Sequence, residues 1–81
     1  MSETIEKDIV AIISDVSGFE PEEIKPDTHL AGELEIDSIK AIEIIVAIEK
    51  KYKISIRDED VPKITTVKEA IELVNTLVYH P

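Results

Sequence analysis

The chain has 81 residues, of which 43% are hydrophobic and 4% aromatic, so it suits one small domain with an aliphatic core. The absence of cysteine excludes disulfides, thiolate zinc sites and a cysteine nucleophile, and the net charge of -9 argues against nucleic acid and anionic membranes as partners. Neither a signal peptide nor a bilayer-length apolar run is visible, so we expect a cytoplasmic protein without membrane insertion.

The first predicted element is a helix over residues 3–16, which Ser2 can cap. Apolar residues recur there at the spacing of one buried helical face: Ile5, Ile9, Ile12, Ile13 and Val16. Gly18 is the expected left-handed residue that ends this helix.

Residues 19–36 are predicted to form a long loop. Pro21 and the two glutamates after it can begin a single helical turn. A loop of this length in a small domain needs apolar anchors in the core. The candidates are Phe19, Ile24, Leu30 and Leu34.

A second helix is predicted over residues 38–53, with Asp37 as its N-cap and Ser38 in its first turn. Its spacing predicts one buried face made of Ile39, Ile42, Ile45, Val46, Ile48, Glu49 and Tyr52. A helix N-terminus leaves N–H groups unpaired and carries partial positive charge. A phosphate ester on Ser38 would therefore be favoured, and a group attached there would project into solvent.

The segment after this helix is predicted to be irregular. Residues 54–56 alternate like a short strand, but no partner strand is evident, so we expect an extended loop. Residues 58–61 are expected to form one short helical turn before Pro62.

Thr66 and Glu69 have the spacing of a capping box, which predicts a last helix ending near residue 77 or 78, with residues 79–81 frayed. The resulting fold class is all-α, a small irregular bundle of three main helices plus one short helix with a long first loop. We expect a single freestanding domain over residues 1–81, and a monomer.

The stretch Asp37-Ser38-Ile39 at a helix start resembles the attachment site of acyl carrier proteins. Leu34 lies four residues before the serine, as a leucine does in that family, and residues 63–67 match the family downstream. The resemblance runs without gaps from about residue 33 to 74. It implies a carrier rather than an enzyme, with 4'-phosphopantetheine held covalently by Ser38. The thiol of that arm would carry acyl groups as thioesters in fatty acid, specialised lipid or polyketide synthesis.

The resemblance also implies partners and the surfaces that meet them. The partners are a phosphopantetheinyl transferase, acyl-transfer and synthase enzymes, and a bound acyl chain. Enzymes would dock on Ile39, Lys40, Glu43, Val46, Glu49, Lys50 and Ile56. The acyl chain would enter a space lined by Ile48, Ile56, Val61 and Ile64.

Several positions depart from the family pattern. Glu35 stands where glycine is usual, and Ile39 replaces leucine, which is a mild change. Lys40 and Lys50 stand where family members have acidic residues. Residues 38–53 hold four lysines against two glutamates, so this helix is the one basic element of an acidic chain. A dedicated pathway therefore fits as well as general fatty acid synthesis.

Other functions need features that this sequence lacks or holds only weakly. A serine nucleophile needs a base and a glycine-rich elbow, but the only histidines are His29 in the loop and His80 in the tail. The acidic run 58–60 lacks the glycine and terminal glutamate of a calcium loop, so no metal site is expected.

Two alternatives stay open: a peptidyl or aminoacyl carrier, whose usual Gly-Gly-x-Ser is missing, and an acidic helical interaction module without a prosthetic group.

Overall fold

The computed structural model describes residues 2–79, and within them it is all-helical, which confirms the predicted fold class. Three long helices are joined by loops that contain shorter helical segments. In chain order the elements are α1 (Ser2–Ser17), a 3₁₀ turn (Pro21–Glu23), α2 (Leu30–Glu33), α3 (Ser38–Tyr52), a second 3₁₀ segment (Asp58–Lys63) and α4 (Val67–Tyr79). Between residues 2 and 79, none of the helices combines the length and apolar character needed to cross a bilayer.

Two short elements differ from the prediction. The four-residue α2 was predicted as loop, because it is too short to show helical periodicity and contains Gly32. The segment before α4 runs through Pro62, where the sequence predicted a stop. A 3₁₀ segment accepts proline there, since the ring fixes a suitable φ and the missing N–H removes only one hydrogen bond. The tail 79–81 was predicted to be frayed, but Tyr79 is the last residue of α4, and the other two residues of that prediction, His80 and Pro81, lie outside the described residues.

The core is built around α1, which packs against both α3 and α4. Its residues Ile9 and Ile13 are completely buried, so the predicted inner face of α1 is confirmed. The buried side chains on α4, which belong to the same core, are Val67, Ala70 and Val74. Burying one such aliphatic side chain contributes roughly 1.5–3 kcal/mol.

The predicted buried face of α3 was wrong for three residues. Ile39, Ile42 and Val46 are exposed at 69%, 59% and 40%, whereas the side chains that enter the core are Ile44 and Ile48. Aliphatic residues occupy almost every side of this helix, so periodicity did not single out the face that α1 covers. At its C-terminal end the Tyr52 hydroxyl donates to Asp8 Oδ2 at 2.6 Å, and burial together with this bond raises the pKa of the phenol above its ordinary value.

The long first loop is held by side chains and by backbone pairing. Its predicted anchors Ile24, Leu30 and Leu34 are buried, and Phe19 is partly buried against the core. The loop also pairs with the start of α4: Leu30 N–H donates to Thr65 O at 3.0 Å, and Val67 N–H donates to Thr28 O at 3.1 Å. These bonds fix the position of α2 relative to α4.

Helix ends follow the local chemistry that the sequence indicated. Gly18 has φ 83° and donates its N–H to Ser14 O at 2.9 Å, as expected of a left-handed residue after α1. The capping box is present: Glu69 N–H donates to Thr66 Oγ1 at 3.3 Å, and Glu69 Oε1 accepts Thr66 N–H at 3.1 Å. Hydrogen bonds from Thr65 to the Glu69 carboxylate lower its pKa.

We expect Thr66→Ala to lower the free energy of unfolding by ~1 kcal/mol, because it leaves Glu69 N–H without its capping oxygen. Urea denaturation followed by circular dichroism measures this loss. Thr76→Ala, at an exposed position inside α4, is the matched control and should cost nothing. Equal losses for the two variants would contradict the capping role.

Candidate functional site: the N-terminus of helix α3

Ser38 was predicted to lie in the first turn of this helix, and in the structure it is the exposed first residue of α3. Asp37 is its N-cap, as predicted, and has extended backbone angles. The carboxylate of Asp37 accepts Lys40 N–H at 2.9 Å, and its carbonyl accepts Ala41 N–H at 2.9 Å. The cap therefore fixes the first turn of α3 and leaves the serine hydroxyl facing solvent.

The residues just before the serine alternate between core and surface. Leu34 and Ile36 are buried, while Glu35 and Asp37 are exposed. Ile36 N–H donates to Leu30 O at 3.1 Å, and this bond connects residues 34–37 to α2. Two buried anchors and one backbone bond thus hold the chain in place directly before Ser38.

Glu35 adopts the left-handed conformation, with φ 54°, at the position where the sequence departs from the glycine of the family pattern. A side chain disfavours this conformation by roughly 1–2 kcal/mol, and glycine avoids the cost. Glycine also raises the conformational entropy of the unfolded chain, and this cost offsets part of the strain that is relieved. We therefore expect Glu35→Gly to stabilise the protein by about 0.5 kcal/mol.

Thermal and urea unfolding measure the effect of Glu35→Gly. Lys53, with φ 55°, shares the left-handed conformation, so Lys53→Gly should also be neutral or stabilising. Ser55→Gly is the matched control, because Ser55 lies in the exposed loop without positive φ, and it should destabilise. Destabilisation by all three substitutions would contradict the argument from backbone strain.

An apolar cavity of about 310 Å³ opens beside the serine, with Asp37 and Ser38 at its edge. Side chains from α1, α2, α3 and α4 and from the segment before α4 line it, and most of them are aliphatic. Of the residues predicted for an acyl-chain space, the cavity is lined by Ile48, Val61 and Ile64. Ile56 does not line it: this side chain is buried elsewhere in the core, with 8% exposed.

The sequence prediction missed several cavity residues. Leu30 was expected only as a loop anchor, and Ile44 was not placed on the inner face of α3, yet both line the cavity. His29 lies on its lining and is itself exposed. The hydrophobic run of α3 and the apolar anchors of the loop predict that these residues are buried. They do not indicate that the buried residues line one cavity.

The residues predicted for enzyme docking occupy different environments. Ile39, Glu43, Val46 and Lys50 are exposed, and Lys40 is half-buried. Glu49 uses its Oε2 to accept Ile56 N–H at 2.8 Å, which draws the segment after α3 back along the helix. Ile56, which was also predicted to contact partners, is 8% exposed, and this bond holds it in the core.

The comparisons with known proteins agree with this geometry. Residues 7–74 match a family model described as the phosphopantetheine attachment site. The chain belongs to the acyl carrier protein family. It is 34% identical over 77 residues to the acyl carrier protein of Thermosynechococcus vestitus, which covers 95% of this chain and 94% of that protein. Family membership confirms the predicted acyl-carrier role and the covalent 4'-phosphopantetheine cofactor.

Two other carrier proteins are also similar. The meromycolate extension acyl carrier protein of Mycobacterium leprae is 39% identical over 69 residues, which cover 85% of this chain but 60% of that protein. The apo doublet acyl carrier protein from prodigiosin biosynthesis has the same fold, with a TM-score of 0.77 at 23% identity over 91% of this chain. This chain covers 36% of that doublet.

The family is one of non-catalytic carriers that work with a phosphopantetheinyl transferase and with acyl-transfer and synthase enzymes. The surroundings of Ser38 fit the cofactor. The hydroxyl is exposed at the N-terminus of a 15-residue helix, where phosphate is favoured, and an apolar cavity adjoins it. Within residues 2–79, no three His, Asp or Glu side chains converge as metal ligands would.

Proposed function

We propose that Ser38 Oγ is the attachment point of the phosphopantetheine arm, and that the chain presents acyl intermediates on it to enzymes. The observation that carries the proposal is the position of Ser38, exposed at the start of α3 and at the edge of the apolar cavity. Ser38 acts as the acceptor hydroxyl for the transferase and is not a catalytic nucleophile. The chain works as a single carrier domain, monomeric and cytoplasmic.

Asp37 and the helix prepare the serine for this role. Because Asp37 accepts Lys40 N–H, the first turn of α3 is formed without Ser38 as its cap. The partial positive charge at the helix start then favours the anionic phosphodiester. When bound, the arm supplies a terminal thiol on which an acyl group is held as a thioester.

The cavity shelters the acyl chain. Ser38 is among the residues that line it, and Ile48, Val61 and Ile64 supply apolar walls. Each methylene that leaves water for such walls contributes about 0.8 kcal/mol, so a chain of several carbons offsets the cost of ordering it. Polar cargo gains nothing from this cavity, which favours aliphatic acyl groups over aminoacyl groups.

The exposed side of α3 receives the enzymes. Ile39, Glu43, Val46 and Lys50 are accessible there, with Lys40 beside them. Relatives are named for meromycolate extension and for prodigiosin biosynthesis, so the family serves dedicated pathways. We extend this to the present chain as a carrier for fatty acid, specialised lipid or polyketide synthesis.

Intact mass spectrometry tests the attachment. The purified protein is incubated with coenzyme A and a broad-range phosphopantetheinyl transferase, and we expect the mass of one phosphopantetheine to be added. An interaction module without a prosthetic group would keep its mass, and that result would refute the proposal.

Acyl loading tests the cavity separately. The protein is loaded with a saturated medium-chain acyl group, and the methyl signals of Ile48 and Val61 are compared by NMR with those of the unacylated form. We expect shifts for both residues and none for Ile42, which is exposed at 59%. Unchanged signals for Ile48 and Val61 would show that the chain stays in solvent.

A further inference from the structure

An exposed apolar stripe follows Ser38 along α3. Its members are Ile39, Ile42 and Val46, spaced three and four residues apart so that they share one face of the helix. They are among the most exposed large apolar side chains in residues 2–79. Single exposed apolar residues are ordinary, but a contiguous stripe that begins next to a functional serine marks an interaction surface.

The helix that carries the stripe has mainly positive charges. Lys40, Lys50 and Lys53 form no ion pair within residues 2–79, whereas Lys51 lies 4.0 Å from Asp8. Glu43 is the exposed acidic residue beside them, while Glu49 is engaged with Ile56 N–H. Lys50 lies on the face of the stripe, and half-buried Lys40 lies to one side of it. In a chain of net charge -9, helix α3 is therefore distinct in sign.

Helix stability does not account for all of these lysines. Lys50 and Lys53 lie at the C-terminal end of α3, where the helix dipole favours cations. Lys40 lies in the first turn, at the end that the dipole makes unfavourable for a cation. Its presence there fits an external anionic partner better than it fits an internal role.

We propose that this stripe docks on enzymes whose surface presents an apolar groove flanked by carboxylates, opposite Lys40 and Lys50. The inference rests on the proposed function, because a carrier must bring Ser38 to such enzymes. Charge at the edge of an interface sets association rate and partner choice, so acidic grooves are selected and basic ones rejected. A second copy of the chain is disfavoured as the occupant, because two copies each of charge -9 repel one another.

The probes are a ketosynthase whose carrier-docking surface is basic, and the same enzyme with the basic residues of that surface changed to glutamate. The carrier is first loaded and its mass checked, so a failure of the proposed function is seen before any docking is measured. Acyl transfer rates are then compared for wild type, Lys50→Glu, and the double variant Lys40→Glu with Lys50→Glu. Lys7→Glu with Lys68→Glu is the matched control, since it makes the same charge change at exposed positions on α1 and α4.

We expect wild type to react faster with the acidic enzyme, and the double variant to prefer the basic one. Each reversed lysine should change the ratio of the two rates by roughly two- to fivefold, the range for exposed ion pairs, and less at high salt. The control variant should keep the wild-type preference. Amide shifts of the carrier, measured by NMR with each enzyme, should fall on α3.

Several results would overturn the proposal. These are an equal response to both enzymes, a wild-type preference for the basic one, or no amide shifts on α3 with either. An effect at Lys40 with none for Lys50→Glu would assign Lys40 to a local contact with the prosthetic phosphate instead. Concentration-dependent α3 shifts in the carrier alone would show that a second copy covers the stripe.

Discussion

Replacing Ser38 by alanine is expected to abolish phosphopantetheine loading completely. The substitution removes the acceptor oxygen, and no neighbouring side chain can replace it at the start of α3. Incubation with coenzyme A and a broad-range transferase, followed by intact mass spectrometry, should give one added group for wild type and none for Ser38→Ala.

The control for this experiment is Ser55→Ala, which removes an exposed hydroxyl in the loop after α3 and should load as wild type does. Folding of Ser38→Ala should be unchanged, because Asp37 rather than Ser38 caps the helix. Circular dichroism and urea unfolding check that point. A mass increase in Ser38→Ala would show that the attachment site lies elsewhere in the chain.

The helix ends were predictable from the sequence because they depend on local chemistry. Asp37 caps α3, Gly18 ends α1 in a left-handed conformation, and Thr66 with Glu69 caps α4. Each of these features involves residues within a few positions of one another, so a short stretch of sequence contains all the interacting groups.

The orientation of α3 was not predictable in the same way. Isoleucine and valine surround most of this helix, so its inner face is decided by contact with α1 rather than by periodicity. The buried Thr28 and the short α2 were missed for a related reason. Their positions depend on backbone bonds to Thr65 and Val67, nearly forty residues away in the chain.

The cavity shows where a family pattern assists and where it fails. The family pattern predicted that Ile48, Val61 and Ile64 line an acyl-chain space, and all three line the cavity beside Ser38. The pattern included Ile56 as well, but Ile56 does not line the cavity: Glu49 accepts its N–H, and its side chain is buried in the core. One hydrogen bond between the Glu49 carboxylate and the Ile56 backbone N–H favours that placement, and a spacing pattern does not contain it.

Helix α3 brings three features together on one short segment. Its first residue, Ser38, is exposed, one side carries the apolar stripe, and the opposite side contributes Ile44 and Ile48 to the core and cavity. A substitution on the inner side therefore changes both stability and the space available to an acyl chain. A substitution on the outer side leaves the fold intact, and this difference can be measured.

Ile48→Ala is expected to lower the free energy of unfolding by ~2–5 kcal/mol, because Ile48 is 2% exposed and its truncation enlarges an existing cavity. Small domains have a total stability of only ~5–15 kcal/mol, so the variant should melt far below wild type. Urea unfolding measures the loss. Ile42→Ala is the matched control, with the same chemical change on the same helix at 59% exposure, and it should cost less than ~0.5 kcal/mol.

The same variant connects stability to cargo. If an acyl chain occupies the cavity, a loaded medium-chain acyl group should restore part of the stability lost in Ile48→Ala, because it fills the space that the truncation leaves. Loading should have a smaller effect on Ile42→Ala, whose cavity is unaltered. Equal stability of the Ile48→Ala and Ile42→Ala variants before loading would mean that Ile48 is not a core residue. Equal stabilisation of both variants by the acyl group would mean that the chain binds away from Ile48.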